Sequence, residues 1–113
     1  MDLDVTTRVH GDDAVLAVQG EIDLTSCGQL REHIDALDLD TTHNVVVDLT
    51  EVGFIDSTGL SVLVGAARRA REHGRGFGVV AEGHLRELLH ITGLDTVMEV
   101  RHDVDDPAEP TGA

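Results

Sequence analysis

Apolar side chains recur along this chain with two alternating periods, and the switches between them mark its elements. Val5 to His10 alternates apolar and polar positions, Gly11-Asp12-Asp13 carries turn residues, and Ala14 to Val18 resumes an apolar pattern. Two strands joined by a tight turn are predicted there. Gly20-Glu21-Ile22-Asp23-Leu24 reads as a loop or strand end. Leu30, Ile34 and Leu37 then fall on one helical face, with Thr25 or Ser26 available as a cap and an end before Thr41. Val45-Val46-Val47-Asp48-Leu49, opened by Asn44, is a β-branched run of the kind buried in a parallel sheet. Thr50 to Ile55 reads as a link into a second helix. In that helix Leu60, Leu63, Val64 and Ala67 recur at helical spacing, and Arg68, Arg69, Arg71 and His73 precede Gly74. Basic residues there suit the negative end of the helix dipole. Phe77 to Ala81 is the next strand. A short helix from about His84 to Ile91 places Leu85, Leu88 and Leu89 inward and stops at Thr92-Gly93. Thr96 to Val100 is the last strand.

The order β-β-α-β-α-β-α-β predicts an α/β fold: a mixed β-sheet opened by a hairpin, with right-handed crossovers and packed helices. A length of 113 residues suits one domain with one core. Residues 1–102 are assigned to it. From Asp103 the chain is acidic, contains proline and lacks apolar period, so 103–113 is expected to be a disordered tail. With 41% hydrophobic residues, two phenylalanines and neither Trp nor Tyr, the core must be aliphatic.

Charge narrows the function classes. Twenty-two acidic residues against eight arginines, with no lysine, leave a formal charge of −14. Such a field repels nucleic acid and anionic membranes and favours encounter with a basic protein surface. No apolar run approaches the roughly 20 residues of a membrane span. Met1-Asp2-Leu3-Asp4 lacks the regions of a signal peptide, so a cytoplasmic location is expected. Cys27 stands alone, which excludes an internal disulfide and a Cys-based metal site. The seven histidines include no His-x-x-x-His pair, and no metal or cofactor is expected.

Asp56-Ser57-Thr58-Gly59-Leu60 spans the junction between strand and helix. Ser57 lies at or beside the N-cap, with Asp56 as the competing cap, where N–H groups converge and negative charge is tolerated. It has three readings: a plain cap, a nucleophile, or a site for phosphate. The nucleophile elbow Gly-x-Ser-x-Gly is broken at Ile55. Gly76-Phe77-Gly78-Val79-Val80-Ala81 fits a dinucleotide fingerprint in letters only, because it opens a strand and not a helix.

Val52-Gly53-Phe54-Ile55-Asp56-Ser57-Thr58-Gly59-Leu60, with Gly20-Glu21-Ile22-Asp23 before it and Ile91-Thr92-Gly93-Leu94-Asp95 after it, resembles the STAS-domain anti-sigma-factor antagonists of bacteria. The resemblance covers roughly residues 5 to 100. It implies a regulatory domain that is not an enzyme. The unphosphorylated form binds an anti-sigma factor with serine kinase activity and so frees a sigma factor. Phosphorylation of the motif serine, here Ser57, switches binding off, and a serine phosphatase restores it. By the same match, Glu21, Asp23, Asp56, Ser57, Thr58 and Gly59 are expected to meet the partner, with Thr58 in a supporting position. Glu21, Asp23 and Asp56 would surround Ser57. The resemblance favours a monomer when free. Two other readings remain open: a STAS scaffold or transport-associated module, and a small serine-dependent enzyme, for which no histidine lies near the motif.

Overall fold

The computed structural model describes residues 3–104. Strands β1 (Asp4–His10) and β2 (Asp13–Ile22) form the opening hairpin. Helix α1 (Cys27–Asp35), strand β3 (Asn44–Ile55), helix α2 (Ser57–Glu72), strand β4 (Gly76–Val80), helix α3 (Gly83–Ile91) and strand β5 (Glu99–Arg101) follow. The five strands lie in sequence order; β1 pairs antiparallel with β2, and every later pair is parallel. Each crossover therefore steps one strand in the same direction, and right-handed connections put all three helices on one face. That is the mixed α/β sheet expected from the alternating periods.

The helix-covered face holds the core. Leu16, Val18, Ile22, Val45, Val47, Leu49 and Val79 from the sheet pack against Leu30 and Ile34 of α1, Leu63 and Ala67 of α2, and Leu85 and Leu89 of α3. Leu88, expected inward, is only partly buried at the margin. Among the described residues no helix is long and apolar enough to cross a membrane.

Three boundaries differ from the sequence reading. Gly20–Ile22 continues β2, and Thr50–Ile55 continues β3. Their registers shift between Ala17 and Gln19 and again between Gly20 and Glu21, after which Glu21 faces Phe54 and Ile22 faces Ile55. These irregularities interrupt the period-two alternation, so a strand reads as a link although its pairing persists. The last strand starts at Glu99 instead of Thr96. Leu94–Thr96 forms a 3₁₀ turn, and the N–H groups of Val97 and Met98 both donate to Leu94 O at 3.1 Å, which holds the segment off the sheet.

The opposite face carries a smaller cluster, Val15, Val46 and Val80, with Val104 seated on it. Arg101 is buried there, with its guanidinium near Asp13 and Glu99 and Nη1 donating to Val104 O at 3.5 Å. The packed region thus reaches at least Val104, two residues past the expected domain boundary. The remainder of the acidic tail lies outside the described residues.

Candidate functional site

Parallel β2 and β3 end together, and their last pair is Ile22 with Ile55. The next residue of each strand carries a carboxylate. Asp56 N donates to Ile22 O at 3.1 Å, which ties the turn after β3 to the end of β2 and sets Asp56 beside Asp23.

Asp56 is the N-cap of α2, with extended backbone (φ −104, ψ −174). Its Oδ1 accepts from the N–H of Thr58 at 2.9 Å and of Gly59 at 3.2 Å, and also from the Thr58 hydroxyl. Two of the orphan donors of the first turn are satisfied in this way. The Thr58 hydroxyl, together with the two N–H groups, holds the Asp56 carboxyl below its ordinary range, against partial burial and the nearby Asp23 charge. Asp23 is built alike. Its Oδ1 accepts from Thr25 Oγ1 at 2.7 Å and from Thr25 N at 3.0 Å, and the Thr25 hydroxyl is the chief cause of its lowered pKa. Ser26, at the N-cap of α1, does not cap: its buried hydroxyl donates to Glu21 O at 2.7 Å and accepts from Asp23 N at 3.0 Å.

The capping competition between Asp56 and Ser57 is thereby resolved in favour of Asp56. Ser57 becomes the first residue of the helix and is exposed. Among the described residues its hydroxyl has no hydrogen-bond partner, while its main-chain O accepts from Ser61 Oγ at 2.9 Å. Among the described residues no general base is hydrogen-bonded to it. From Ser57 a shallow groove runs along the outer flank of α2 over Leu60 and Val64 to Leu94.

Glu21 is exposed on the last turn of pleat in β2, opposite Phe54. Thr58 is partly buried and committed to Asp56. Gly59 is buried, and a Cβ built there would stand 2.5 Å from Ile22 Cγ2 and 2.7 Å from Ile55 Cγ1. The close approach that this glycine permits is therefore to the ends of β2 and β3.

Two residues at this end escaped the sequence reading. Leu24 is 75% exposed and Phe54 50% exposed, an uncommon condition for large apolar side chains. No local signal marks Phe54: Val52, two residues before it, is buried, so simple alternation would turn Phe54 inward, and the register shift after Gly20 sets it opposite the exposed Glu21.

Acid-limb stability follows from the two low carboxyls. A carboxyl whose folded pKa is depressed stabilises fully above its unfolded value and loses that contribution as the pH falls through the lower folded one. The Asp56 contribution is therefore complete above its ordinary value of 3.8 and is lost as the pH falls through the lower value that the folded chain gives it. Asp56→Ala is expected to lower the melting temperature by a few degrees near neutral pH. The gap to the parent should close as the pH drops below 3.8. Thermal unfolding of both chains across that range measures it; a gap independent of pH would deny the carboxylate its capping role.

The strand ends of a helix-backed sheet thus present an exposed serine, fixed carboxylates and exposed apolar side chains on one surface. The family model for the STAS domain of the Mlab type matches residues 5–100, and the chain belongs to the STAS-domain family. Over 92 residues it is 38% identical to the anti-sigma-F factor antagonist RsfB of Mycobacterium tuberculosis, covering 80% of this chain and 75% of that one. The crystal structure of an anti-sigma factor antagonist from Mycobacterium paratuberculosis superposes with a TM-score of 0.84 at 33% identity, covering 92% of this chain and 89% of that one. The phosphorylated form of the Bacillus cell fate determinant SpoIIAA shares the fold, with a TM-score of 0.67 at 18% identity over 88% of this chain and 93% of that one.

Proposed function

We propose that this protein is an anti-sigma factor antagonist whose binding is switched by phosphate on Ser57. The observation that carries the reading is the Ser57 hydroxyl, exposed and unbonded at the start of α2 because Asp56 has taken the cap. The unphosphorylated chain captures an anti-sigma factor with serine kinase activity. That kinase phosphorylates Ser57 and a serine phosphatase reverses the change, all in the cytoplasm, with the free antagonist a monomer.

The docking surface is the end of β2 and β3. Leu24 and Phe54 supply apolar anchors, and Glu21, Asp23 and Asp56 supply the charge that attracts a basic partner. Phosphate adds about −1.5 to −2 charges near neutral pH. The helix N-terminus accommodates that charge within the fold. At the interface the same charge joins carboxylates that already face the partner.

Incubation of the purified chain with ATP and its cognate kinase tests this reading. Intact-mass analysis is expected to find one phosphate, located on Ser57 by fragmentation and absent from Ser57→Ala. A phosphate on Thr58, or none, would overturn it.

A further inference from the structure

At the far end of α2 from Ser57 the chain forms a half-open cavity of about 780 Å³. Its floor is apolar: Phe77 from the start of β4, Met98 after the 3₁₀ turn, and Val100 of β5. Arg71 from the last turn of α2, Arg75 from the loop after it, and Arg86 from α3 project into its walls.

These three are among only eight arginines in a chain with 22 acidic residues. Even so, no carboxylate lies within ion-pair distance of any of them among the described residues; the arginine ion pairs belong to Arg69 and Arg101. Each meets main-chain carbonyls instead. Arg75 Nε donates to Leu39 O at 2.6 Å and is fixed there, whereas Arg71 Nη2 reaches Val97 O at 3.4 Å and Arg86 Nη1 reaches Ala81 O at 3.5 Å. The last two contacts are long, at the weak limit of hydrogen bonding. Of the two carboxylates on the cavity wall, Asp95 lies 2.8 Å from Nδ1 of His90, which lines the same cavity, and Glu99 is paired with Arg101. Guanidinium groups thus stand over an apolar floor without a carboxylate in ion-pair contact, in a molecule whose overall charge is strongly negative.

We infer that this cavity binds a small organic monoanion with an apolar body, of the aryl carboxylate or sulfonate kind. The volume lies within the ordinary range for small-molecule sites. The body rests on Phe77, Met98 and Val100, and the anionic head takes charge-assisted hydrogen bonds from Arg71 and Arg86. A neutral molecule of the same shape would leave both guanidinium groups without a partner as water is displaced. Large polyanions are repelled by the rest of the surface. This site is independent of the role of Ser57.

Anilinonaphthalene sulfonate, titrated into the full chain and read by fluorescence, tests the site. One saturable site is expected, and naphthalene carboxylate should displace the dye at least about tenfold better than the neutral naphthalene carboxamide. The double variant Arg71→Gln, Arg86→Gln should bind the dye at least about tenfold more weakly while melting like the parent. Arg68→Gln, on the outer flank of the same helix, should bind as the parent does. Amide shifts on adding naphthalene carboxylate should centre on Phe77 and Val100. Equal displacement by carboxylate and carboxamide, undiminished binding by a folded double variant, or shifts centred on Leu24 and Phe54 would overturn the inference. The carboxylate-to-carboxamide comparison uses the unaltered chain, so it decides even if the double variant fails to fold.

Discussion

Ser57→Asp is expected to weaken capture of the anti-sigma factor by more than about a hundredfold, a loss of about 3 kcal/mol of binding, while leaving the fold as stable as the parent. Both halves come from one geometry. The side chain at position 57 stands in solvent at the first position of α2, where an added carboxylate faces the positive end of the helix and disturbs no buried contact. Toward a docked partner, the same carboxylate adds to the charge of Asp56 and Asp23, which the tie between Asp56 N and Ile22 O holds close by. The basic groups of the partner are already matched to Glu21, Asp23 and Asp56 in this reading. The added carboxylate is therefore desolvated beside like charge with no counter-ion of its own, which costs several kcal/mol. Ser57→Ala should bind as the parent does and become indifferent to the kinase. Affinities for the purified anti-sigma factor, measured beside melting curves, separate the outcomes. If Ser57→Asp unfolds the domain, or binds at full strength, the switch does not reside in this side chain.

Gly59→Val is expected to lower the melting temperature by on the order of 10 °C, and Gly59→Ala by about half as much. Two effects oppose each other here. Replacing a helical glycine by alanine ordinarily gains about 0.5–1 kcal/mol of backbone entropy and propensity. At position 59, however, the new Cβ would stand 2.5 Å from a methyl of Ile22 and 2.7 Å from the γ-carbon of Ile55. Both isoleucines are buried at the strand ends, 0% and 6% exposed, and have no solvent to retreat into. Overpacking of that kind costs about 1–3 kcal/mol and wins. Gly65, exposed in the same helix with nothing within 4 Å of a Cβ, supplies the control. Gly65→Ala should stabilise, so two identical substitutions in one helix carry opposite signs. A Gly59→Ala chain melting at or above the parent would show that α2 can lift away from the strand ends.

The class of the fold was legible because its signals are local. The change from β-branched runs to helical spacing at Leu60, and the turn residues of Gly11-Asp12-Asp13 and Thr92-Gly93, each act within a few neighbours. Where pairing depends on a distant strand, the reading failed. Thr50–Ile55 looks like a link because its apolar positions no longer alternate, yet the shifted register against Gln19–Ile22 keeps it in the sheet. Val104 looked like part of an acidic tail, since nothing near it in sequence is apolar in period. Its burial depends on Val15, Val46 and Val80, which a one-faced set of crossovers leaves uncovered by helices.

The candidate site divides in the same way. That Ser57 follows a strand and opens a helix is written in the order of residues around it, and the family motif is carried by the same short stretch. Whether Asp56 or Ser57 caps the helix was open in sequence, because both side chains are competent acceptors and the choice rests on the backbone angle at one residue. The fold decides it by tying Asp56 N to Ile22 O, a bond between residues 34 apart in sequence. With that bond in place Asp56 is the cap, the Ser57 hydroxyl is left unbonded and Gly59 lies against Ile22 and Ile55, while the shifted register sets Glu21 opposite Phe54. The unpaired arginines at the far end of α2 have the same origin. Arg71, Arg75 and Arg86 line one cavity because the crossovers bring the last turn of α2, the loop after it and α3 to the same face of the sheet. Local propensity and short motifs determine elements and a candidate hydroxyl, whereas long-range pairing determines which of the neighbouring polar groups remain available to a partner.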